Sequence, residues 1–188
     1  MEIERRAFVE CRVDAIDSRR LRGYAIVFNT LSQNLGGFKE VIAPEAMDRT
    51  LKEAIDLRAL VDHDPGKVLG RLSANTLEVS KDARGLRVTI EPDAEISYAR
   101  DIMRSVARGD VSGMSFGFRA LEDDWNYDGD LPVRTVLDMR VSEVSVVTFP
   151  AYTATDVQAA QRSLAEFQAR GGMSVAWAQR LLQQRLAE

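Results

Sequence analysis

Residues 133–149, VRTVLDMRVSEVSVVTF, constrain this chain more than any other stretch. The run is rich in valine and threonine, contains neither glycine nor proline, and ends at Pro150. It reads as one long β-strand. Side chains alternate between the two faces of a strand. One face therefore carries Val133, Thr135, Leu137, Met139, Val141, Glu143, Ser145 and Val147. That face is apolar with a carboxylate in its middle. An ionised carboxylate there needs a donor or a cation, unless a bulge turns Glu143 to solvent or an arginine satisfies it.

The same alternation applies to VSGMSFGFRA. Ser112, Met114, Phe116 and Phe118 form a core-like face. Val111, Gly113, Ser115, Gly117 and Arg119 form the other. Ser115 is flanked on its own face by two glycines, whose missing side chains leave room for a second backbone or a ligand. A serine nucleophile attacking a peptide needs such room; close packing against a neighbouring strand would use it equally well.

The chain has one histidine and one cysteine among its 188 residues. A zinc site built on several histidines or cysteines is excluded, as is a disulfide within one chain. Any imidazole chemistry belongs to His63. In LRALVDHDPG the residues Leu57, Ala59, Val61 and His63 share a face, and the strand runs into an expected turn at Pro65-Gly66. His63 thus ends an inward-facing row, where loops commonly present functional groups. The three residues fit one mechanism. Ser115 would attack, His63 would carry the proton, and Glu143 would orient the imidazole. Cys11 lies in a charged N-terminal segment, and nothing in the sequence marks it as an activated thiolate.

Elsewhere the chain reads as strands broken by helices. LRGYAIVFN and FKEVI are strands, and Pro44 opens a helix. KVLGRL, TLEVS and GLRVTIE suggest a meander. Residues 95–108 form a helix with Ile96, Ala99, Ile102, Met103 and Val106 inward, stopped at Gly109. DDWNYDGDLP is the expected hairpin tip before the long strand. After Tyr152 the sequence turns Ala/Gln-rich and helical, breaks at Gly171-Gly172, and continues as a second helix. This tail either serves a partner or packs on the domain. The expected organisation is a domain over 1–154 and a helical extension over 155–188.

Net charge is -4, which argues against a dedicated nucleic-acid binder. The charged N-terminus lacks the apolar stretch of a signal peptide, and no run approaches the roughly 18 apolar residues of a membrane span. The expectation is a soluble, cytoplasmic protein with no metal and no cofactor.

GYAIVFN, FKEVIAPEAM, LVDHDPGKVLGR, GDVSGMSFGF and VSEVSVVTFPAY occur in this order and cover roughly residues 20–155. The ordered series resembles the HK97-type prohead proteases of tailed phages and prophages. That family is similar in fold to the herpesvirus assemblins. The resemblance implies an α+β fold with a mostly antiparallel, β-barrel-like core and surrounding helices. It implies a serine endopeptidase that digests scaffold and trims the major capsid protein inside the immature prohead, in the host cytoplasm, and then cleaves itself. Self-association into a dimer or higher assembly is part of the same expectation. His63 matches the histidine of the family's HD segment, Ser115 the serine of its S-x-G-F segment, and Glu143 the acid before V-x-x-P-A-Y. Assemblins use a second histidine as third member; this chain has none, so an acid takes that role. A non-enzymatic assembly or scaffold protein that keeps the protease fold is the alternative, and a cysteine enzyme built on Cys11 is a weaker one.

Overall fold

The computed structural model describes residues 3–53, 56–128, 131–149 and 158–169. The fold is α+β, dominated by strands, with a curled half-barrel sheet. In chain order the elements are β1 (Glu4–Arg6), β2 (Val13–Ala15), β3 (Leu21–Val27), β4 (Lys39–Ile42), a 3-10 turn at Pro44–Met47 leading into α1 (Asp48–Lys52), β5 (Arg58–Val61), β6 (Asp64–Arg71), β7 (Leu77–Lys81), β8 (Gly85–Ile90), α2 (Ser97–Arg108), β9 (Gly113–Asp128), β10 (Leu131–Val147) and α3 (Gln158–Ala169).

The strands form two sheets. One runs β1-β9-β10-β5-β6, with β4 also on β10; the other runs β2-β3-β8-β7. Most neighbours are antiparallel, but β4 and β5 both pair with β10 in parallel. The expected meander is therefore split: β6 closes the first sheet, while β7 and β8 form a hairpin in the second. DDWNYD is strand rather than hairpin tip, because β9 continues to Asp128, which pairs with Leu131.

The long strand is present, but its inward face is not one continuous row. Arg134 and Val136 are buried at one end, Met139 and Val141 in the middle, and Val144 and Val146 at the other end. Two kinds of irregularity produce this. Near Leu137 of β10 and Leu121 of β9 both strands shift together, so the ladder continues with its faces exchanged. Between Val141 and Glu143, Ser142 is an extra residue on β10 alone. Such a bulge inverts the alternation downstream of it. Val133, Thr135 and Leu137 are thus only partly buried, and Glu143 leaves the face that carries Met139 and Val141.

Met114, Phe116 and Phe118 of β9 face Val146, Val144 and Val141 of β10, all fully buried. Burying each such side chain stabilises the fold by roughly 1.5–3 kcal/mol. The helix α2 adds Ala99, Ile102, Met103 and Val106 to this core. Ile96 precedes the helix and is exposed. Gly109 ends α2 in the left-handed region (φ 83°), where a side chain is disfavoured. α3 seats the buried Ala160 beside Leu35, Phe38 and Trp125. Its Phe167 stacks on Trp125 at 6.1 Å, and Trp125 Nε1 donates to Ser163 Oγ at 3.1 Å. The second tail helix expected over 173–188 lies outside the described residues.

Candidate active site

β9 and β10 carry the site between them. Ser115 lies directly opposite Ser145, and Gly117 opposite Glu143. Opposed residues of an antiparallel pair share a face, so all four lie on the side away from Phe116 and Phe118. The Ser142 bulge is what brings Glu143 to this side. Ser142 Oγ donates to the Gly117 carbonyl at 3.0 Å and holds the bulge in place. The space left by Gly117 is taken by the carboxylate: a Cβ on Gly117 would overlap Glu143 Oε1. The second glycine of the expected cleft thus cradles an acid rather than leaving open volume.

The third contributor is the hairpin between β5 and β6. Val61 pairs with Asp64, so Asp62 and His63 form a two-residue loop. Both have positive φ, 46° and 60°, the requirement of a type I′ hairpin. The turn therefore falls at Asp62-His63 and not at Pro65-Gly66. Pro65 and Gly66 lie in β6, an edge strand, where a proline costs no ladder bond. Asp62 is tied down by both ends. Its amide donates to the Val146 carbonyl at 3.0 Å, and its carboxylate accepts the Thr148 amide at 2.9 Å. This clamp fixes the turn against the end of β10.

The turn aims His63 Nδ1 at Glu143 Oε1, 2.6 Å away. The two side chains keep 19% and 13% exposure. The pair is therefore partly shielded, and still open to a reactant. Among the described residues no group hydrogen-bonds His63 Nε2. With Nδ1 on the carboxylate, Nε2 is the position that can take up a proton. Ser145 was not anticipated from the sequence. Its buried hydroxyl donates to Glu143 Oε2 at 2.6 Å and accepts the His63 amide at 3.2 Å. The only signal available for it was its place two residues after Glu143, on the same alternation face.

Ser115 is 4% exposed, and its hydroxyl donates to the Arg6 carbonyl at 2.9 Å. The β1 strand, paired along the outer edge of β9, supplies that acceptor. A pocket opens beside this edge, lined by Ala7, Val9, Arg12, Gln33, Ser112 and Gly113. Cys11 sits deeper, 1% exposed. Burial pushes its thiol up to about 12, the reverse of what a thiolate nucleophile needs.

The family model described as Caudovirus prohead serine protease matches residues 8–170. The chain belongs to that family. No curated protein and no solved structure matches it. The expected family is thus the observed one, and the match includes α3. Membership brings serine peptidase activity, a part in phage capsid maturation, capsid proteins as substrates and a location inside the prohead. Among the described residues no helix is long and apolar enough to cross a membrane.

Proposed function

We propose that this prohead protease is a serine endopeptidase whose nucleophile is Ser115, with His63 as base and Glu143 as the group that orients it. The observation that carries the reading is the 2.6 Å contact between His63 Nδ1 and Glu143 Oε1, on the strand face that also bears Ser115. The chemistry runs as follows. The Ser115 hydroxyl turns from the Arg6 carbonyl toward His63 Nε2 and gives up its proton there as Oγ bonds to the scissile carbonyl carbon. The imidazolium, stabilised by Glu143, then protonates the leaving amine as the C–N bond breaks. Water hydrolyses the acyl-enzyme by the same proton route in reverse. The substrates are the major capsid protein and the scaffold, followed by the protease itself, working as a dimer or larger assembly. The assemblin-like likeness belongs to this reading, supported by the curled sheet and the shared His-then-Ser order. So does the division into a protease domain over 1–154 and an extension over 155–188.

The test is co-expression with the capsid protein, following capsid-protein mass. Ser115→Ala and His63→Ala are each expected to slow trimming by about four orders of magnitude or more, with thermal unfolding close to that of the parent. Trimming by Ser115→Ala at the parent rate removes Ser115 as nucleophile. Unchanged trimming by both variants favours a non-enzymatic assembly protein that keeps the fold.

A further inference from the structure

We infer that Ser145 is a positioning residue that holds the acid and the base of this site in one geometry. The inference rests on the reading of Ser115, His63 and Glu143 given above. Among the described residues, the Ser145 hydroxyl is the only side-chain group that hydrogen-bonds to both His63 and Glu143. It donates its proton to Glu143 Oε2, at 2.6 Å, and so fixes the rotation of the carboxylate. That leaves Oε1 directed at His63 Nδ1. As acceptor it takes the His63 amide at 3.2 Å. This amide belongs to a residue held at φ 60°, left-handed backbone that a residue with a side chain adopts less readily than glycine.

One oxygen therefore sets the torsion of the acid and the backbone of the base. Ser145 is fully buried and lies directly opposite Ser115 in the ladder. Its own position is fixed by β9 on one side and by β5, through Leu60, on the other. A rigid strand residue is a better reference point than a loop residue for a turn that must not drift. The effect expected of losing it is on alignment, and a displacement of about 1 Å can cost up to 10²-fold in rate.

The test compares Ser145→Ala, Ser145→Cys and Ser115→Ala as full-length proteins, using cleavage kinetics on a capsid-protein peptide and proton NMR. His63 is the only imidazole in the chain, so a low-field Nδ1–H resonance has a single source. Ser145→Ala is expected to lower kcat by about 10- to 100-fold with KM unchanged, and to shift or broaden that resonance. Ser145→Cys, close in volume but a weaker donor, is expected to fall between the two. Parent kcat and an unshifted resonance in Ser145→Ala overturn the inference and leave the Ser115 assignment intact. An inactive Ser145→Ala beside an active Ser115→Ala makes Ser145 the nucleophile and overturns both. If Ser145→Ala unfolds, Ser145→Cys decides: a parent-like resonance and kcat overturn the inference, and a shifted resonance with reduced kcat supports it.

Discussion

The β9–β10 ladder carries two charged clusters, one on each face of the sheet, and they differ in what is left over. On the face of Phe116 and Phe118, Glu4, Arg6, Glu40 and Arg134 are all 2% exposed or less. Arg6 Nε reaches Glu40 Oε1 at 2.8 Å, and an Arg6 terminal nitrogen reaches Glu4 Oε2 at 2.6 Å. Arg134 binds Glu4, Glu40 and Asp123 at 2.8, 2.9 and 2.6 Å. Burial works against the Arg134 charge, but these carboxylates outweigh it and raise its pKa. The network draws on β1, β4, β9 and β10 at once, and each of its arginines meets at least two carboxylates. On the opposite face Glu143 and His63 also pair, yet the imidazole keeps one nitrogen uncommitted among the described residues. Charges that consume one another make structure. A pair with one valence to spare makes chemistry.

Crossed substitutions would break this comparison if it is wrong. Arg134→Met leaves Glu4 and Glu40 with Arg6 alone and takes the arginine from Asp123, and is expected to cost about 3–5 kcal/mol in denaturant unfolding, while the folded fraction keeps its turnover number. Glu143→Gln is expected to do the opposite: unfolding within about 1 kcal/mol of the parent, and a loss of trimming roughly 10²-fold smaller than that of His63→Ala. Equal effects on stability and turnover in either variant would merge the two clusters into one.

Gly117→Ala sharpens the Glu143–His63 side alone. The new methyl must displace the Glu143 carboxylate, so turnover on a capsid-protein peptide is expected to fall by about 10- to 100-fold with the fold retained by circular dichroism. A smaller effect is expected at the exposed base of the β5–β6 hairpin. Hydrogen bonds from the Arg71 guanidinium and from Ser73 hold Asp56 well below the usual carboxylate range. A depressed folded value means that its stabilisation is complete above the unfolded value near 4 and fades as pH falls through the folded one. The stability gap between parent and Asp56→Asn, read by thermal melts, should be small at pH 6 and shrink further on acidification. A gap that grows toward acid would reverse the sign.

What the sequence disclosed follows from where alternation holds. From Gly113 to Phe118 the period of two is unbroken, so the buried Met114, Phe116 and Phe118 and the separate face of Ser115 and Gly117 were readable. In β10 the period is interrupted, and nothing in VSEVS announces that Ser142 is the inserted residue. Glu143 was correctly seen to need a partner, but on the wrong face. Pro65-Gly66 looked like the stronger turn, yet an edge strand tolerates both, and the clamp on Asp62 from Val146 and Thr148 comes from more than 80 positions away. The buried network was invisible for the same reason. Arg6 meets Glu40 across 34 positions and Glu4 meets Arg134 across 130, and no local pattern encodes such pairs.

The irregularities of β10 also key the ladder. Two plain strands have a series of near-equivalent alignments two residues apart, since each such slip returns every side chain to its own face. β9 and β10 have lost that degeneracy. Their shifts, near Leu137 and at Ser142 on one strand and at Leu121 on the other, are unequally spaced teeth that mesh in a single setting. A slip of two would set Ser142 against a regular stretch of β9 and carry Glu143 away from the gap at Gly117. The ladder has no almost-correct pairing, so acid, base and serine come together all at once or not at all.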